Sequence, residues 1–179
     1  MNVEALVAAA MIALVKPDTE GGHQRLREIA SAIAAEARPV AFWKGDEGVL
    51  ATSLMLVSIG FHESKFQEKT RRCLPRRGTY LGLFQLFPGP NTRPHSPEEV
   101  CASDALQARL AFRVLQRARK RCPSCSPVYA FRAYASGDGG VQSKEAREIT
   151  DLWLRAALFA GLKVFPHAPR EPPRLLARR

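Results

Sequence analysis

The sequence has no apolar run long enough to cross a membrane. Its most apolar stretch, Ala5 to Val15, holds 11 uncharged residues, about half of the roughly 20 that a spanning helix needs. The stretch follows Glu4 and leads straight into Lys16-Pro17-Asp18, whereas a secretory signal needs a basic start and a small-residue cleavage site. Residues 1–15 therefore read as a core helix. The chain is expected to be made in a cytoplasm without a signal peptide.

Cysteine is scarce. Cys73, Cys101, Cys122 and Cys125 are the 4 in 179 residues, too few for a disulfide scaffold at this length. Cys122-Pro123-Ser124-Cys125 has the spacing of half a zinc site, but Cys73 and Cys101 stand far apart, and structural zinc takes two close pairs. No metal or cofactor is expected. Free thiols and local disulfides both stay open, because four cysteines allow three pairings. There is no internal repeat and no alternating strand pattern, which leaves a mainly α fold with little β.

Aromatic residues make up only 8% of the chain and are not interleaved with basic ones, as single-strand nucleic-acid binding requires. No helix-turn-helix or zinc-finger spacing is present, so a specific nucleic-acid partner is not expected. Acidic residues are in deficit: 27 Lys+Arg face 17 Asp+Glu, a net charge of +10. Such a bias predicts a polyanionic partner. Two classes fit it, an enzyme acting on an acidic polymer and a non-catalytic basic protein that binds nucleic acid or a virion.

What is present is the composition of an ordinary folded chain, 46% apolar and 25% charged. Apolar spacing predicts helices over about 3–14, 23–37, 47–61, 104–120, 128–135 and 144–162. The second carries Leu26, Ile29, Ala30, Ile33 and Ala34 on one stripe; the third is apolar on most sides and should be central. Ser96-Pro97-Glu98-Glu99 has the composition of a capped helix start. Leu106, Leu110, Val114 and Ala118 recur every four residues, beside a cationic row of Arg109, Arg113, Arg117 and Arg121. Between Ser64 and Asn91 the periodicity fails, and a basic loop or short hairpin is expected. The organisation is one domain over 1–165, with N-terminal helices in 1–46 and the motif-bearing part in 47–163. Residues 166–179, with four prolines and four arginines, read as a loosely attached tail.

One carboxylate stands out. Glu63 ends the most apolar helix between Phe61 and Phe66, where lost hydration would disfavour its charged form. A carboxyl group that stays protonated near neutrality can donate to a leaving oxygen. Its neighbour His62 reads as a surface histidine, since adjacent helical residues point apart. Gly82-Leu83-Phe84-Gln85-Leu86 places a single amide in an apolar run, and Ala133 to Gly140 ends a helix in a small-residue turn.

In order, Glu63-Ser64-Lys65-Phe66, Gly82 to Leu86 and Ala133-Tyr134-Ala135-Ser136-Gly137 resemble the three motifs of the soluble lytic transglycosylases of the lysozyme superfamily. That family carries Met and Ile where Phe84 and Leu86 stand, and Asn and Ala where Ala135 and Ser136 stand. The resemblance spans about residues 49–153. It implies a lysozyme-like fold with a small hairpin or loop region after the catalytic helix, and a monomer acting on peptidoglycan glycan strands. Glu63 would be the catalytic acid and then base, cutting the β-1,4 bond of N-acetylmuramic acid to form a 1,6-anhydro end. Ser64 would bond near the N-acetyl group, Phe84 and Gln85 would line the cleft, and Tyr134 would orient Glu63 or substrate. Glu68 is the one acid between Glu63 and Gly82, too near in sequence to face Glu63 easily, so one carboxylate is expected to suffice. A hydrolytic lysozyme of goose type is the alternative. Without an export signal, such an enzyme would be phage-encoded, made in the bacterial cytoplasm and acting in the periplasm or wall, as a lysin or with virion or tail proteins as partners.

Overall fold

The computed structural model describes residues 1–74, 80–122, 128–136 and 144–162. Within them the regular structure is helical: α1 (Val3–Val15), α2 (Glu20–Ala37), α3 (Gly45–Ser64), α4 (Glu68–Arg71), α5 (Pro97–Ala102), α6 (Asp104–Arg121), α7 (Val128–Ser136) and α8 (Lys144–Phe159), with a 3-10 turn at Arg38–Val40. No helix among the described residues is long and apolar enough to cross a membrane. Gly137, Cys125 and the tail 166–179 lie outside the described residues, as do Arg76 and Arg77.

Local chemistry sets the helix starts. Asn2, Thr19 and Ser103 each accept a hydrogen bond from a first-turn backbone N–H, and Ser96 with Glu99 forms a full capping box ahead of Pro97. α2 begins at Glu20, earlier than the expected His23, because Thr19 caps it and Gly21 and Gly22 are carried inside the first turn.

α3 is the centre. Every residue from Gly48 to Gly60 is buried, and α1, α2, α6 and α8 pack around it. A helix enclosed this way must satisfy its own polar groups: Thr52, Ser53 and Ser58 donate to the carbonyls of Gly48, Val49 and Leu54 at 2.8 Å. α8 is fixed to it by the Trp153 indole, which donates to the Ala51 carbonyl at 3.1 Å and stacks on Trp43. One apolar cluster joins residues from Val3 on α1 to Leu162 beyond α8.

On α6 the expected every-fourth-residue stripe is corrected. Leu106 and Val114 are only partly buried, while Gln107, Ala108, Ala111, Phe112 and Leu115 are buried with Leu110 and Ala118. A row spaced by four drifts about 40° per step on a 3.6-residue helix. The buried face is broader than such a row because α2, α3 and α7 all contact α6.

After α3 the described residues form one short helix and then an irregular loop, in keeping with the expected loop region. A single antiparallel bridge joins Leu81 and Leu86, and two of the basic side chains before it are tied down. Arg71 bonds Asp104, Glu68 and Glu28, and Arg72 bonds Glu68. A disulfide links Cys73 to Cys101, 28 positions apart, and Cys122 is disulfide-bonded too. Disulfides, and not free thiols, are therefore the state of the described cysteines.

Candidate active site

The end of α3 is built around a missing side chain. A β-carbon added at Gly60 would sit 2.6 Å from the Phe66 ring and 3.0 Å from that of Phe84. Glycine at this position lets both rings lie against the helix. Residues three and four positions on share that face, which brings Glu63 and Ser64 to the same side as the turn carrying Phe84. The chain then reverses sharply, with Lys65 and Phe66 both in the left-handed region at φ 49° and 54°. A bulky residue there is uncommon, and the buried Phe66 ring holds it.

Glu63 is partly buried. Burial pushes its carboxyl above the ordinary value of 4.5; the charge of His62 pulls it down and that of Glu145 pushes it up. Glu145 lies in the first turn of α8, so α8 supplies an acid beside Glu63 that spacing within the motifs does not reveal. The only hint in the sequence is an acidic residue opening the helix that follows the glycine-rich sequence 137–140.

Tyr134, on α7, donates its hydroxyl to the Phe84 carbonyl. Burial, and then the nearby Glu63 charge, push the phenol well above its usual range, so it stays protonated. Thus α3, α7 and the 81–86 turn converge: Glu63 and Tyr134 lie within electrostatic reach, and Tyr134 holds the turn.

That turn is over-determined. The Leu81 and Leu86 backbones exchange two hydrogen bonds of 2.9 Å. Gly82 has φ +67°, and a β-carbon there would strike the Gln107 amide. Gln107, fully buried, accepts from Leu83 N–H at 2.8 Å and donates to the Arg71 carbonyl at 3.1 Å. Gln85 adopts φ 47° and folds its amide back onto the Gly82 carbonyl at 2.9 Å.

Two of the expected binding residues therefore need correction. The Phe84 ring is fully buried and lines no cleft; its contribution at the site is its backbone carbonyl. Ser64 is buried, donates to the Gly60 carbonyl at 2.9 Å and accepts from Phe66 N–H at 3.1 Å, so its hydroxyl is committed to the helix end and the reversal after it. Gln85 is partly exposed beside Phe84, although its amide N–H is engaged. His62 is not a plain surface residue: Nδ1 lies 3.6 Å from the Glu148 carboxylate. Glu68 is occupied by Arg71 and Arg72, and the hydrogen bonds to these arginines hold its carboxyl below the usual range against the opposing effect of burial.

Chemically, the arrangement offers one carboxyl biased toward its protonated form, a protonated phenol near it and a second carboxylate on α8. Comparison with known proteins finds no family model, no curated protein and no solved structure that matches this chain.

Proposed function

We propose that this protein is a peptidoglycan lytic transglycosylase with a lysozyme-like arrangement of its helices. The observation that carries the reading is Glu63, whose carboxyl is pushed toward protonation by burial at the end of the central helix. Tyr134 from the third motif lies within reach, tied to the second motif through Phe84. A link from each motif to the next supports the reading: the Glu63 charge acts on Tyr134, and Tyr134 bonds the Phe84 carbonyl.

In this mechanism Glu63 gives its proton to the glycosidic oxygen as the bond to the muramoyl anomeric carbon breaks. The neighbouring N-acetyl group takes up the positive charge developing at that carbon. The Glu63 carboxylate then removes the proton from the sugar's own C6 hydroxyl, whose oxygen closes onto the anomeric carbon to give the 1,6-anhydro ring. Glu63 ends protonated, ready for another turn, and the internal hydroxyl has an entropic advantage over water. Delivery to the cell wall from a phage, as a lysin or with a virion, belongs to the same proposal.

A second reading is favoured by one observation, the influence of Glu145 on Glu63. Two carboxylates can support hydrolysis, the second activating water or stabilising the cation. Mass analysis of products from purified peptidoglycan separates the readings. Anhydro ends are expected; reducing ends alone would favour the hydrolase. Glu63→Gln is expected to lose at least about two orders of magnitude in turnover, the scale of general acid catalysis. Full activity in that variant would overturn both readings.

A further inference from the structure

The turn that Tyr134 grips lies inside a loop closed by a disulfide. Cys73 follows α4, Cys101 lies on α5, and their link spans 28 positions. From residue 74 to residue 96 the described residues form no helix, only the bridge between Leu81 and Leu86. Cys73 itself has φ 53°, a left-handed backbone uncommon for a residue with a β-carbon. Two ties hold it there: its N–H bonds the Thr70 carbonyl at 2.9 Å, and its sulfur bonds Cys101.

One amide passes the position of Cys73 on to the turn. Gln107, fully buried on α6, donates to the Arg71 carbonyl, two residues before Cys73, and accepts from Leu83 N–H. Leu83 adjoins Phe84, whose carbonyl takes the Tyr134 hydroxyl. Freeing Cys73 lets its backbone relax, and the Arg71 carbonyl moves with it. A buried amide that loses one partner is costly to hold in place, so the hold on Leu83 weakens next. The core does not share this dependence. α3 is buried among α1, α2, α6 and α8, and neither cysteine lies on those helices.

We propose that Cys73 and Cys101 form a redox switch: as thiols they leave the 81–86 turn loose and the enzyme idle, and as a disulfide they set the turn for work. The inference rests on the proposed function, in which an enzyme made in a reducing cytoplasm acts in an oxidising wall compartment. The oxidant is a small disulfide or a disulfide-exchange protein. One cysteine thiolate attacks a sulfur of the oxidant, forming a mixed disulfide and releasing one thiol. The other thiolate attacks the cysteine sulfur of that bond, closing the Cys73–Cys101 link and releasing a second thiol. The pair gives up two electrons and two protons, and the oxidant takes up both.

The test measures kcat/KM on purified peptidoglycan before and after reduction by dithiothreitol, with complete reduction confirmed by counting thiols. Reduction is expected to lower it by roughly ten- to hundredfold, the cost of a misplaced site, and glutathione disulfide to restore it. Cys73→Ser, Cys101→Ser should show the lowered rate in both states. Cys122→Ser, Cys125→Ser should respond as the wild type does. Unchanged turnover on reduction, or a response that survives in the first variant, would overturn the proposal. So would loss of the helical circular dichroism signal on reduction, which would make the pair a strut of the whole fold. Should the oxidised protein cut nothing, the proposed function falls, and the switch is judged by amide hydrogen exchange. Exchange at Leu83 and Leu86 at least about tenfold faster after reduction, with residues 48–60 unchanged, supports the switch; equal exchange in both states rejects it.

Discussion

Glu63 carries a cost in stability beside the role proposed for it. Its carboxyl holds a proton more tightly in the folded chain than in the unfolded one, because burial penalises the charged form. The unfolded chain releases that proton near 4.5 and the folded chain only above it, so this group's effect on stability is most favourable below 4.5. That advantage is lost as pH rises through the folded value. Glu63→Gln, which cannot ionise, should raise Tm at pH 7. The gap should close below pH ~4.5, and thermal melts at pH 4 and 7 check it; equal gaps at both would show that burial of charge is not the cause. Glu145 adds a second handle. Its like charge raises the Glu63 carboxyl, so Glu145→Gln should move the alkaline fall of turnover to lower pH, read from a pH–rate profile. An unshifted alkaline limb would remove Glu145 from the site's electrostatics.

Among the elements, the one that shapes the site and was least legible is the segment between α3 and α5. The long helices could be read from periodicity because each buries a stripe against a neighbour, as Leu26, Ile29 and Ile33 do on α2. The described residues of 65–96 are held by other means: Arg71 on Asp104, Gln107 on Leu83 and Arg71, Cys73 on Cys101. Each is a contact between residues far apart in sequence, which spacing cannot reveal. Glu63 was legible for the opposite reason, since an acid ending an almost wholly apolar helix is a local anomaly. The roles expected of Phe84 and Ser64 were misread because composition does not tell which way a ring or hydroxyl turns. The Cys73–Cys101 link closes a long loop of the chain around the 81–86 turn, and constraining the unfolded chain this way stabilises by about 3 kcal/mol. The double variant Cys73→Ser, Cys101→Ser should lose about that much in denaturant unfolding. A change below about 0.5 kcal/mol would mean that Arg71 and Gln107 hold the segment unaided.

At the scale of the whole molecule, the net charge of +10 is less available than the sequence suggests. Arg109 is held by Glu36 in a two-pronged pair at 2.7 and 2.9 Å. Arg117 donates to the Pro90 carbonyl, and Arg119 lies over the Phe42 ring while bonding its carbonyl. The cationic row of α6 is thus partly a set of struts between α6 and its neighbours, which argues against a continuous strip for nucleic acid. What survives at long range is the overall field, and a field steers association without needing a specific contact. Its reach shrinks from about 10 Å at 0.1 M salt to about 3 Å at 1 M. Turnover of intact, anionic cell walls should therefore fall by about tenfold between 0.05 and 0.5 M salt through kcat/KM. On a short soluble muramoyl oligosaccharide, which carries too little charge to follow the field, the rate should stay within about twofold. If both substrates slowed alike, salt would be acting on the site itself, on the His62–Glu148 pair or the charges around Glu63. The surplus arginines would then serve the fold and not the encounter.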